Sequence, residues 1–247
     1  MIRAVIFDMG DTLMQFARPG GGTWREFEEP GIRGVYQYLV EQGHPLTALE
    51  DEFVEVMFAR LAEGWEQATG GQVNLRAYDW LAQGAAHHAL APDEATLAEA
   101  VRQYARPMRE DVRAKPGAVE LLETLRARGY RVGLISNTIW PGELHLEDLA
   151  AIGVLPFLEH TIFSGDLGIW KPNPAIFEHM LSALEVAPAE AVFVGDSPRD
   201  DIAGAQRVGM RGVWVGSREF PLGDVRPDAT IGHLSELLPL VEQWSAA

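Results

Sequence analysis

Five short apolar runs constrain this chain more than any other feature: Ala4–Phe7, Val132–Ile135, Thr161–Phe163, Ala191–Val194 and Gly212–Val215. Each is rich in Val, Ile or Phe, and helical patterns separate them. Continuous apolar runs this short are what strands look like when both faces of a parallel sheet are covered. Ala118–Arg128 carries apolar residues at Val119, Leu122 and Leu125 and meets a stop at Gly129. Pro174–Leu184 and Asp200–Val208, the latter closed by Gly209, predict further crossover helices. Alternating strand and helix with short links predicts an α/β fold with an open, Rossmann-like parallel sheet.

Residues 14–115 break that rhythm. Four helical patterns follow one another there without a convincing strand. The first uses Ile32, Val35, Tyr36 and Leu39 and stops at Gly43. The second opens on a capping-box pattern, Thr47-x-x-Glu50, and places Leu49, Phe53, Met57, Leu61 and Trp65 on one face. The third runs over about Leu75–Leu90 and the fourth over Asp93–Tyr104. The expected organisation is a sheet core from 1–13 and 116–247 with a helical domain, 14–115, inserted after the first strand. Gly20-Gly21-Gly22, near the entry, suits either a hinge or a plain surface loop.

Charge and cysteine content narrow the chemistry. Twenty Lys and Arg against 36 Asp and Glu give a net charge of −16, which repels a phosphate backbone, so nucleic acid is not an expected partner. With no Cys there is no thiol nucleophile and no Cys-ligated metal. The opening apolar stretch ends at Asp8, too short for a signal peptide or a membrane span, and a soluble cytoplasmic protein is expected. Arg outnumbers Lys 18 to two, so the retained Lys115 and Lys171 invite a role for a compact point charge.

Open α/β sheets bind ligands at the carboxyl ends of their strands. Here the first strand runs into Asp8-Met9-Gly10-Asp11-Thr12 and the second into Ser136-Asn137. The third precedes Lys171-Pro172, and the fourth ends in Gly195-Asp196-Ser197-Pro198-Arg199-Asp200-Asp201. Any one of these is an ordinary turn or cap sequence. Together, on successive strand ends of one sheet, they point to a site.

In these four motifs, taken in order, the chain resembles the haloacid dehalogenase (HAD) superfamily of hydrolases, and the resemblance extends along its whole length. It implies that Asp8 is a nucleophile that forms an aspartyl-phosphate. It implies Mg²⁺ held by Asp8, the backbone carbonyl of Gly10 and Asp196, with Asp201 in the metal's outer sphere and Asp200 a less suitable substitute. Lys171 is implied as the charge that screens Asp8 and the phosphoryl oxygens, and Ser136, Asn137 and Thr12 as phosphate-binding groups. The insertion corresponds to the family's helical cap of the C1 type. The expected function is a Mg²⁺-dependent phosphatase acting on a small phosphorylated metabolite.

One position departs from the family pattern. Its phosphatases carry a second Asp, the general acid/base, two residues after the nucleophile; this chain has Gly10 there and Asp11 one place later. Three other readings therefore stand beside the phosphatase: a non-catalytic phosphate- or Mg²⁺-binding module, a 2-haloacid dehalogenase, and a phosphonate hydrolase. The family's dehalogenases have Tyr at that position. Its phosphonate hydrolases use a cap Lys, and this cap contains none up to Arg113.

Overall fold

In the sheet, every strand runs parallel to its neighbours, and the order changes direction at the first strand. The computed structural model describes residues 1–16, 22–70, 75–216 and 220–246. In chain order the strands are β1 (Ala4–Phe7), β2 (Met14–Gln15), β3 (Arg113–Ala114), β4 (Arg131–Ser136), β5 (His160–Phe163), β6 (Ala191–Gly195), β7 (Arg211–Val215) and β8 (Ala229–Ile231). The helices are α1 (Trp24–Glu41), α2 (Glu50–Thr69), α3 (Ala77–His87), α4 (Glu94–Arg109), α5 (Ala118–Ala127), α6 (Gly142–Ala151), α7 (Ser164–Leu167), α8 (Pro174–Ala183), α9 (Gly204–Arg207) and α10 (Leu237–Ala246). No described helix is long and apolar enough to cross a membrane.

The chain divides into two compact units. One comprises Met1–Gln15, Arg113–Asn137 and Leu146–Ala247; the other comprises Phe16–Val112 with Thr138–His145. The sequence placed everything after residue 115 with the sheet, yet Thr138–His145 packs with the helices. Its Ile139 carbonyl accepts the Ala77 N–H at 2.8 Å, and its Leu144 carbonyl accepts from Arg109 at 3.0 Å. The Trp140 ring meets Tyr104 and Phe16 edge-on.

In the sheet unit the order is β5-β4-β1-β6-β7-β8. All five expected strands are present. The parallel edge strand β8 and the short antiparallel β2–β3 pair were not anticipated. Strand β1 is buried along its whole length, with Phe7 in register with Leu134 on one side and Val194 on the other. Helix α8 covers one face through Ile176, Phe177 and Met180, which join Ile6, Ile135 and Phe193 in one apolar cluster. Because β4 and β6 flank β1 while the chain proceeds outward on both sides, the strand order reverses at β1. The crevice at such a switch point is where open sheets bind ligands.

In the helical unit, Gly31 of α1 lets α4 approach closely: a Cβ there would stand 2.2 Å from the Tyr104 carbonyl oxygen. Tyr104 is buried and donates its hydroxyl proton to the buried Glu28 carboxylate, which also accepts from the Trp24 indole at 3.0 Å. Burial, then the charge of Glu28, holds the Tyr104 hydroxyl well above the usual tyrosine range. Helix α2 starts two residues later than the Thr47 pattern indicated. Leu49 is the cap residue, and the Glu52 carboxylate takes its N–H at 3.2 Å. The Gly20-Gly21 part of the glycine run lies outside the described residues.

Candidate active site

Asp8 leaves the end of β1 with its N–H bonded to the Val194 carbonyl at 2.9 Å, which continues the β1–β6 ladder by one step. The chain then turns sharply. Leu13 and Met14 both donate to the Met9 carbonyl, Asp11 donates to Met14 at 2.8 Å, and Asp11 takes a left-handed backbone (φ 53°). That conformation, uncommon for a side-chain-bearing residue, directs residue 11 differently from an extended residue 10. The turn buries Thr12 completely, and its hydroxyl has no hydrogen-bond partner among the described residues.

Lys171 is the centre of the charge arrangement. It is 3% exposed, and its ammonium donates to Asp8 Oδ1 at 2.7 Å, Asp201 Oδ1 at 2.8 Å and the Ile135 carbonyl at 2.9 Å. Burial works against the ammonium, but the carboxylates of Asp201 and Asp8 outweigh it and hold Lys171 above the ordinary lysine range. An ammonium has three N–H donors, and all three are engaged. For Lys171 to reach a phosphoryl oxygen, as the sequence resemblance implies, one of these bonds must be exchanged.

Asp196 and Asp201 follow β6. Asp201 sits on a π-turn, Pro198–Ala203, that reaches back to the Ser197 carbonyl through the N–H groups of Asp201 and Ile202. Its second carboxylate oxygen accepts the Ser197 N–H at 2.9 Å. The neighbouring acids differ in their partners: Asp201 bonds Lys171, whereas the Asp200 carboxylate lies 3.9 Å from Arg199. The expected helix over Asp200–Val208 is this π-turn followed by the short α9. Asp196 is buried, and its carboxylate has no hydrogen-bond partner among the described residues. Burial, then Asp8, Asp201 and Asp11, pushes its carboxyl well above the usual range, while Lys171 opposes this. Burial also pushes Asp201 upward, against the pull of Lys171 and the Ser197 N–H.

Asp8, Asp196 and Asp201 each bring a carboxylate oxygen within 4.8 Å of the others. One ammonium serves three buried carboxyl groups, and it pairs with Asp8 and Asp201 but not with Asp196. An all-oxygen, anionic donor set of this kind suits a hard divalent cation. The residues present therefore fit the metal that the sequence resemblance implies.

The two motif-two residues separate in behaviour. Ser136, also buried, has among the described residues only a long 3.5 Å contact to the Asn137 carbonyl, so its hydroxyl remains nearly unspent. The Asn137 amide, expected to bind phosphate, accepts the Lys171 N–H at 2.8 Å and donates to the Lys171 carbonyl at 3.0 Å. Three contacts that shape the site carry no signal in the sequence. These are the Ile135 carbonyl, the Ser197 N–H, and the Trp214 indole that donates to the Asp196 carbonyl at 2.8 Å. Backbone groups are not encoded by residue identity, and nothing in the sequence of β7 singles out Trp214.

The family model for haloacid dehalogenase-like hydrolases matches residues 2–209. Phosphoserine phosphatase of Thermus thermophilus is 37% identical over 123 residues, a match that spans 49% of each chain. Glyceraldehyde 3-phosphate phosphatase of Pyrococcus abyssi is 30% identical over 87% of this chain and 81% of its own. Among solved structures, a 2-haloacid dehalogenase from Pseudomonas syringae pv. Tomato superposes with a TM-score of 0.73 at 28% identity, covering 99% of this chain and 100% of that one.

Proposed function

Because the chain belongs to the haloacid dehalogenase-like hydrolases, we propose that it hydrolyses the phosphate monoester of a small metabolite through a phosphorylated Asp8. The observation that carries this reading is the buried Asp8–Lys171–Asp201 chain of ion pairs beside Asp196, at the switch point of the sheet. In this reading the helical unit, Phe16–Val112 with Thr138–His145, is the family's helical cap, which sets the substrate. The phosphatases among its relatives support phosphate as the group transferred.

Phosphoryl transfer asks for a nucleophile, alignment and charge neutralisation. Lys171 fixes one oxygen of Asp8, which leaves the other to attack. The Asp8 oxygen bonds to phosphorus as the bond from phosphorus to the leaving oxygen breaks. With Gly10 in place of an acid, that oxygen takes its proton from water. A second water then attacks phosphorus, the bond to Asp8 breaks, and orthophosphate leaves. The buried hydroxyls of Thr12 and Ser136, which lack good acceptors among the described residues, donate to the phosphoryl oxygens. Asp8, the Gly10 carbonyl and Asp196 would hold Mg²⁺, which when bound supplies positive charge against the nucleophile and the phosphoryl group. Asp201 positions Lys171 and would belong to the metal's outer sphere.

The likeness to a 2-haloacid dehalogenase keeps one alternative in view. There the same Asp8 would displace halide from carbon. Phosphate release from a panel of monoesters and acyl phosphates, with Mg²⁺ or with chelator, tests the proposal. Mg²⁺-dependent release that vanishes in Asp8→Asn supports it. Halide release from 2-haloacids that is indifferent to chelator, with no phosphate release, would replace it.

A further inference from the structure

The Asn137 amide and the Lys171 main chain form a two-point contact across 34 residues of sequence. The Lys171 N–H needs an acceptor and its carbonyl needs a donor, so only one orientation of the amide satisfies both. Asn137 follows the end of β4, and Ile135, two residues earlier, grips the ammonium of the same lysine with its carbonyl. One strand end thus holds both the root and the tip of the Lys171 side chain. We propose that Asn137 is a positioning residue that sets where the Lys171 ammonium stands, and not a ligand of the substrate.

The ammonium makes three bonds, to Asp8, Ile135 and Asp201, all between 2.7 and 2.9 Å. A shift of the main chain at Lys171 by about 1 Å cannot preserve all three, and misplacement on that scale costs on the order of 10²-fold in rate. Asn137→Ala removes both anchors. Asn137→Asp, with nearly the same shape, keeps the acceptor but sets a carboxylate oxygen against the Lys171 carbonyl, which now lies 3.0 Å from the amide nitrogen. Both substitutions should release the lysine.

The chain offers a readout that needs no turnover, because Lys115 and Lys171 are its only lysines. A brief pulse of an amine-acylating ester, followed by peptide mass spectrometry, reports Lys171 with the half-buried Lys115 as internal reference. In the unsubstituted chain Lys171 is protected. In Asn137→Ala and Asn137→Asp its labelling relative to Lys115 should rise on the order of tenfold or more, as a local opening would give. The kinetic arm rests on the phosphatase reading: kcat should fall about 10–100-fold with KM changed less than about threefold. In a Lys171→Met background, Asn137→Ala should lower kcat no further.

The two arms fail separately. If the unsubstituted chain releases no phosphate, the phosphatase reading falls while the labelling still decides the role of Asn137. The proposal is overturned if Lys171 stays as protected in both folded variants as in the unsubstituted chain. It is equally overturned if KM rises about tenfold while kcat holds, the pattern of a side chain that touches substrate. Should Asn137→Ala fail to fold, the closer-shaped Asn137→Asp carries the test.

Discussion

Adding one methyl group at Gly195 should dismantle the charge arrangement of the site. A Cβ at this position would stand 2.3 Å from Asp201 Oδ2, 2.4 Å from its Cγ and 2.6 Å from its Cβ. Comfortable carbon contacts lie near 3.5–4.0 Å, so the overlap exceeds about 1 Å. Asp201 cannot yield cheaply, because it is 1% exposed and pinned by Lys171 at 2.8 Å and the Ser197 N–H at 2.9 Å. Gly195→Ala therefore has to eject the carboxylate and break a buried ion pair. Removing one partner of such a pair costs about 3–5 kcal/mol, a large part of the roughly 5–15 kcal/mol that a folded domain has. With a urea m-value of about 1–3 kcal/mol/M, the midpoint should drop by about 1–5 M. Gly216→Ala is the control: its Cβ meets nothing nearer than the Ile231 carbonyl at 3.9 Å, and the cost should stay within about 0.5 kcal/mol. A loss below about 1 kcal/mol in Gly195→Ala would refute the reasoning that Asp201 is fixed in place.

Three further outcomes follow from the same structure. Without an acid at residue 10 the rate should depend steeply on leaving-group pKa; Gly10→Asp should flatten that dependence, by up to about 10²–10⁴-fold on alkyl phosphates, and a flat dependence in the unsubstituted chain would show another proton donor. Burial pushes His145 down to about 3 from an unfolded value of 6.5, so the folded state binds fewer protons between those values. Stability should then be fully present above pH 6.5 and fall towards pH 3 with a slope of up to about 1.4 kcal/mol per pH unit; His145→Asn should reduce that slope in urea melts, and an unchanged acid limb would contradict it. Tyr104→Phe takes one donor from the buried Glu28 and should cost about 1–3 kcal/mol, whereas an unchanged thermal midpoint would show that the carboxylate finds another partner.

Strands buried on both faces announce themselves, and for that reason Ala4–Phe7 and Ala191–Val194 could be read from residue type alone. The edge strand β8, Ala-Thr-Ile, is three residues long and carries no comparable run. Thr138–His145 could not be allotted to the helical unit, because what holds it there is carbonyl acceptors and ring contacts from residues distant in sequence. The acidic and basic groups of the site were legible because they stand at strand ends. Their division of labour was not: whether Asp200 or Asp201 meets Lys171 depends on one π-turn, and nothing in the sequence shows that the Asn137 amide bonds the Lys171 main chain.

Acid-quenching the enzyme during turnover of a fast acyl or aryl phosphate, with Mg²⁺ present, and mapping phosphate on the peptides tests the central claim most directly. The account predicts a phosphoryl group on Asp8, accumulating because no carboxylate at residue 10 assists the second step, and none in Asp8→Asn. Turnover without any covalent phosphate on Asp8, or undiminished turnover in Asp8→Asn, would contradict it.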